Sequence, residues 1–460
     1  MIRQIDFRKL RVSQRGLRIV GVALVTVWLL VAITVLAFVQ LVQTDFAVFY
    51  AAAATLREHT GSIYDIATIT TTMQRHSITA HFPHPAYLYP PLLAIVLIPI
   101  VALPYAVALQ VWTAVELALW AGSAALVVLW LRQLWRPGAE TLVIGLAFGL
   151  LCWPLASGIA QFAQLDALVL VCLLLAPWLI VHNRPGWGGA LLAIVAMIKI
   201  IPALLIVFYL LRGRWRVVRG ALICGAVLLV CQALVVGPSE LLAMRDITST
   251  SNLFVGQADN FSLLHFPVWL AIAIGIPVSP SLSLPGMVLV AMVAVAFVVG
   301  VAITFTHSQG SPINQHDDET MQADLLGYGW AVCTMLLMTP LVWLHYLGWL
   351  LIPLILCGGL VLGRQRTRRD SELLALLVLG YVMATVRLPL LYDTTPQYSL
   401  APFLGPVALR PFAMVLHPLG EVVMWIVTGT LFAHASGISR LRLTRDTFLQ
   451  VRVKLLLPTR

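Results

Sequence analysis

The sequence predicts an all-α polytopic membrane protein, and three observations predict it. Of 460 residues, 60% are apolar and only 10% are charged, with a mean hydropathy of +0.94. A soluble domain of this length does not tolerate such a surface. Apolar stretches of about 20 residues recur along nearly the whole chain, the length of a helix that crosses a hydrocarbon core of roughly 30 Å. The period-two alternation of a membrane β-barrel is absent.

The net charge of +10 is unevenly spread. Basic residues collect at the N-terminus (Arg3, Arg8, Lys9, Arg11, Arg15, Arg18), in "RGRWRVVR" (212–219), in "RQRTRR" (364–369) and in the C-terminal tail. By the positive-inside rule these segments are cytoplasmic. Because they abut span ends, the membrane accounts for them better than a nucleic-acid partner does. The apolar run 19–42 follows the first basic stretch. It is too long for a signal peptide and lacks a small-residue cleavage site, so it reads as an uncleaved first span with the N-terminus inside.

Further spans are expected at 88–104, 106–131, 141–158, 165–181, 187–211, 218–237, 284–306, 324–342, 346–363, 372–390 and 409–433, about twelve in all. Residues 1–433 form one transmembrane domain and 434–460 a basic cytoplasmic tail. Segments 43–87 and 239–283 lie outside, the latter with an apolar piece, 266–277, too short to span. One ambiguity remains in the middle. "YPPLLAIVLIPIVALP" is short and proline-broken. As a full span it puts Arg132, Arg136 and Arg184 outside. As a re-entrant piece it puts them inside and brings "GIAQFAQLD" to the face that holds Asp45. Irregular backbone at membrane depth requires burial in protein or a wet cavity. The six cysteines fall in apolar runs with no His at metal spacing and read as small buried hydrophobes.

The segment after the first span, "DFAVFYAAAATLREH", has helical spacing. Phe46, Phe49 and Tyr50 share a face, which suits an amphipathic helix lying on the outer membrane surface. Asp45 at its first turn either caps the helix or stands at the mouth of a cavity as a general base. Tyr87 and Tyr89, before Pro90-Pro91, fit an interfacial belt or a wall for a flat polar substrate. In "WLHYLGW", His345 lies among Trp343, Tyr346 and Trp349, either as a satisfied hydrogen-bonding residue or as a second titratable group on the face of Asp45.

Lys199 is the lysine inside an apolar stretch, "AIVAMIKIIPALLIVFY". A buried ammonium in a membrane marks a partner or a pathway, and a lipid-linked phosphate is the natural partner. Asn260 and His265 in "QADNFSLLHF", and Arg387 in "TVRLPLLYD", are outside and read as solvated or interfacial. Arg387 is also a candidate to clamp a phosphate bidentately. No Walker A loop, GxGxxG, HExxH or GxSxG is present, which argues against a cytosolic nucleotide-dependent enzyme.

Taken in order, Asp45-Phe46 with Tyr50, "GSIYDI", "YPPLLAIVLIPIVALP", "GIAQFAQLD", "GGALLAIVAMIKIIPALLIVFYLLRGRWR", "NFSL" and "TPLVWLHYLGWLLIP" resemble glycosyltransferase family 87, over roughly residues 40–360. These are polyprenyl-phosphate-mannose-dependent mannosyltransferases of the GT-C fold. Two departures are visible. "AQFAQLD" stands where members often carry a glycine-glutamine-asparagine-like sequence, and His345-Tyr346 stands where they carry a double His.

The resemblance implies a GT-C enzyme of the bacterial plasma membrane, with cytoplasmic termini and an extracytoplasmic active site. The donor would be a polyprenyl-phosphate sugar and the acceptor a glycolipid or glycan. Asp45 and His345 map onto the catalytic positions. Lys199, Tyr50 and Arg387 are assigned to the donor phosphate and lipid, and Tyr87, Tyr89, Gln164, Asn260 and His265 to substrate. No metal site is expected, and a divalent ion is optional because the leaving group is already a stable phosphate. A secondary transporter or lipid-sugar flippase is the competing class. Transporters show internal repeats and paired broken helices, and no repeat stands out here.

Overall fold

The computed structural model describes residues 14–38, 45–78, 85–245, 260–276, 284–308, 317–363, 367–386 and 410–436. Arg387, most of the N-terminal and C-terminal basic segments, and part of 364–369 lie outside them. Among the described residues all regular structure is helical, as composition predicts.

α1 (Gln14–Phe38) packs on α5 (Tyr105–Leu134) and α6 (Ala139–Leu150) but leaves most of its apolar surface exposed. In water this would be untenable. A helix apolar on nearly all sides belongs in lipid. Seven helical stretches among the described residues are long and apolar enough to cross a membrane: Gln14–Phe38, Tyr105–Leu134, Ala139–Phe162, Trp215–Val236, Leu284–Thr304, Leu344–Gly363 and Met414–Ala435. The protein is an integral membrane protein.

Several expected spans differ, each for a local reason. The piece 88–104 is a seven-residue helix, α4 (Pro91–Leu97), followed by a 3-10 turn (Ile100–Ala102). Prolines at 90, 91, 99 and 104 deny it a continuous ladder. The stretch 187–211 is two helices, α9 (Pro185–Ile198) and α10 (Ala203–Leu211), parted at Lys199–Pro202. α8 (Asp166–Val181) has 16 residues, about 24 Å at the helical rise, short of a full crossing. α8 also contains Pro177, whose missing N–H frees the carbonyl of Leu173. The hydroxyl of Tyr328 donates to that oxygen at 2.9 Å.

α9 lies against α11 (Trp215–Val236) where Gly189 faces the backbone of Val217 and Gly220 faces that of Gly186. Any side chain there would collide with main chain, so glycine sets the approach. α12 (Pro238–Ala243), α13 (Phe266–Ala273), α14 (Leu284–Ser308), α15 (Asp317–Leu337), α16 (Leu351–Gly363), α17 (Arg368–Thr385) and α18 (Arg410–Ala435) complete the bundle. Most buried apolar side chains form one continuous core. Arg212 and Arg214, from the predicted cytoplasmic cluster, both pair with Asp324 of α15, at 3.0 and 2.6 Å. Of the cysteines, Cys231 is exposed and Cys224 half-buried on α11, so not all are core residues.

The segment after α1 is not placed as its helical spacing suggested. α2 (Phe46–Glu58) does not lie on a membrane surface with its aromatic face in lipid. Phe46, Phe49 and Tyr50 are buried, as are the alanines between them. The alanine run lets the helix sink into the core on all sides. α2 packs on α4 and on α3 (Ile66–Arg75), and Phe46 stacks on Tyr105 and Trp112 of α5.

Candidate active site

The centre is built on an irregular turn. α7 (Trp153–Ser157) runs into a π-helical turn, Gly158–Phe162, which ends at Ala163 in the left-handed conformation, φ 47°. That conformation costs an alanine about 1–2 kcal/mol. Such turns and strained residues concentrate where a side chain must be aimed. Here the chain reverses and presents Gln164 and Asp166, both buried.

Gln164 joins two elements distant in sequence. Its Nε2 donates to Oδ2 of Asp45, and its Oε1 accepts from the Tyr89 hydroxyl at 3.2 Å. The Asp45 carbonyl accepts the amides of Val48 and Phe49, so the backbone starts α2, but its side chain makes no capping bond. The carboxylate is thereby left for Gln164. Asp45 is only partly buried. Even so, burial raises its pKa to about 6, outweighing the Gln164 hydrogen bond and the nearby Lys199 charge, which both lower it.

Behind Gln164 lies a second polar group. Lys199, extended at the α9 break, is 4% exposed, yet it is not unpaired. Its Nζ donates to Oδ1 of Asp166 at 3.3 Å. It also lies 3.6 Å from the ring centre of Tyr346, 4.9 Å from that of Trp349 and 5.8 Å from that of Tyr89. Carboxylate and aromatic faces together replace the lost water. The expected lipid phosphate partner is therefore preceded by a protein partner. Oδ2 of Asp166 is 3.7 Å from Nε2 of His345, which is carried on a 3-10 helix, Leu344–Leu350. Gly158 makes room for that ring, since a Cβ there would fall 2.6 Å from Cβ of His345. Tyr346 and Trp349 are buried and line the ammonium.

Of the sequence candidates, Asp45, Tyr89, Gln164, Lys199 and His345 meet here, and Arg387 lies outside the described residues. The others stand elsewhere. Tyr50 is buried with its hydroxyl donating to the Leu103 carbonyl at 3.0 Å. Tyr87 donates to the Pro90 carbonyl and accepts the Ala94 amide, tying down the turn before α4.

Asn260 and His265 are buried rather than solvated. Asn260 accepts the Val342 amide and donates to the Pro340 carbonyl, both at 2.9 Å, fixing the strand of chain that leads to His345. His265 Nδ1 lies 3.0 Å from the Ser262 hydroxyl. Burial lowers its pKa to about 4, so the ring is neutral near pH 7.

Sequence reasoning missed Asp166, at the end of the quoted "GIAQFAQLD", because a carboxylate opening a span reads as a helix-start signal. It also missed Glu116, an acid in the middle of an apolar run, where rarity alone was the signal. Among the described residues no group of three or more His, Cys, Asp and Glu gathers as a metal-ligand set.

Comparison with known proteins identifies this helical membrane bundle as a membrane glycosyltransferase. The family model of glycosyltransferase family 87 matches residues 87–315, about half the chain. The chain belongs to that family, as its ordered motifs indicated. The matched region contains Tyr89, Gln164, Asp166 and Lys199, while Asp45 and His345 flank it. No curated protein and no solved structure matches.

Proposed function

We propose that the protein moves a sugar, mannose first among the candidates, from a polyprenyl-phosphate donor to a hydroxyl of a lipid or glycan acceptor. The fold would be of the GT-C type. Transfer takes place at the extracytoplasmic face, opposite the basic segments. The acceptor hydroxyl attacks the anomeric carbon as the polyprenyl phosphate leaves, in one inverting displacement. Asp45 takes the hydroxyl proton, a contribution typically of 10²–10⁴-fold. No covalent sugar–enzyme intermediate is required, unlike in retaining hydrolases. The positive charge of Lys199 favours the ionised form of Asp45 and opposes the charge that builds on the departing phosphate.

The observation that carries this reading is Asp45 itself. It is a carboxylate at the rim of the buried cluster, free of capping duty, with a pKa of about 6. A base poised near neutral pH combines sufficient ionisation with sufficient basicity.

The experiment offers the full-length protein, in membranes that supply acceptor lipids, either polyprenyl-phosphate mannose or nucleotide-linked mannose. Transfer from the lipid donor is expected. Transfer from the nucleotide sugar with no lipid donor present would overturn the reading.

A further inference from the structure

The turn that presents Gln164 and Asp166 is held from behind by α5. Glu116 lies within "VWTAVELALW" and is fully buried. A carboxylate at that depth is costly and marks a role. Its Oε2 accepts the amide of Ala167, the second residue of α8, at 3.0 Å. The residue preceding α8 is Leu165, which has no side-chain acceptor for the orphan amides of a helix start. Glu116 supplies that acceptor from another helix. One turn earlier on α5, Nε1 of Trp112 donates to the carbonyl of Ala163 at 2.7 Å. The Trp112 ring also stacks on Phe46, the neighbour of Asp45, at 5.8 Å.

The 163–167 turn is thus gripped at both ends, by a donor on one carbonyl and an acceptor on one amide. Between those grips lie Gln164, bonded to Asp45, and Asp166, paired with Lys199. The other oxygen of Glu116 is buried without a hydrogen-bond partner. A side chain selected for packing alone would be apolar at this position.

We infer that Glu116 is a positioning residue that, together with Trp112, fixes the 163–167 turn so that Gln164 meets Asp45 and Asp166 meets Lys199. The inference rests on the reading of Asp45 as the general base. The groups facing that carboxylate are Gln164, Lys199, Asp166, Tyr89 and Tyr346. Of these, the Gln164 hydrogen bond depends most directly on the turn.

The test is the rate of transfer against pH, in full-length protein in membranes, with polyprenyl-phosphate mannose as donor. Glu116→Leu removes the acceptor. Its kcat should fall by about tenfold or more, as misplacement at a reacting centre does, and its acid limb should move to higher pH as Asp45 loses Gln164. Glu116→Gln keeps an acceptor oxygen and should retain the wild-type limb. Trp112→Phe, which keeps an aromatic ring beside Phe46 and loses the Nε1 donor, should also move the limb up.

Unmoved limbs in Glu116→Leu and Trp112→Phe would overturn the inference, as would a Glu116→Gln variant as impaired as Glu116→Leu. If Glu116→Leu does not accumulate, the Gln and Trp112→Phe variants decide. An Asp45→Asn control separates the failures. Full activity there removes the general-base reading, whereas an inactive control beside unmoved limbs removes only the role of Glu116.

Discussion

The side-chain amide of Gln164 donates to the carboxylate of Asp45 across 119 positions of sequence. This contact joins the start of α2 to the irregular turn before α8. It ties the candidate base to the Asp166–Lys199 pair behind it.

Losing that contact should be visible in the pH dependence. Asp45 must be ionised to accept a proton, so kcat/KM should rise with pH through about 6 and level off above it. The Gln164 hydrogen bond lowers the Asp45 pKa. Gln164→Ala should therefore move the acid limb upward and reduce the rate most below neutral pH. A limb that stays in place would break the link between the two residues.

The same carboxylate should cost stability. Its folded pKa is raised from 3.8 to about 6, so the folded protein holds this proton more tightly than the unfolded chain does. The cost of the ionised form is fully present above about pH 6 and is relieved as pH falls through the window towards 3.8. Asp45→Asn should thus melt at a higher temperature than wild type above pH 6. The gain should shrink in acid. Melting curves of the detergent-solubilised protein check this, and equal Tm values at every pH would count against it.

Lys199 and Asp166 should behave as one unit. Lys199→Met leaves a fully buried carboxylate without its cation, a change that typically costs about 3–5 kcal/mol. Adding Asp166→Asn removes the orphaned charge and should recover part of the loss, so the two changes should be far from additive in Tm. In activity, Lys199→Met should raise the donor KM or lower kcat. An unchanged donor dependence would remove Lys199 from the donor's surroundings.

Gly158→Ala should reposition His345. The added Cβ would lie 2.6 Å from Cβ of the histidine. Relieving it costs roughly 1–3 kcal/mol of overpacking and moves the ring relative to Asp166. Turnover should fall while the protein still inserts and accumulates. Wild-type turnover in this variant would show that the position of His345 is not critical.

The sequence made the membrane class legible because composition alone forbids a soluble surface. Asp45, Lys199 and His345 stood out because ionisable residues are rare among apolar ones. Span number was less legible. Proline and glycine breaks divide apolar runs into pieces, such as α4 and the α9–α10 pair, that hydropathy averages together. The face of α2 was misread because helical spacing of Phe46, Phe49 and Tyr50 says which residues lie together, not whether lipid or protein covers them. Asp166 and Glu116 stayed hidden because their partners, Lys199 and the Ala167 amide, are supplied by other elements. Periodicity within one helix carries no sign of such partners.

The central claim is that Asp45 is the base, and the rate of Asp45→Asn tests it most directly. Sugar transfer from polyprenyl-phosphate mannose is measured in membranes carrying equal amounts of wild-type and variant protein. Loss of roughly 10²-fold or more is expected, the lower end of a general base's contribution, with the variant as abundant and at least as stable as wild type. An Asp45→Asn protein that transfers at the wild-type rate would contradict the account.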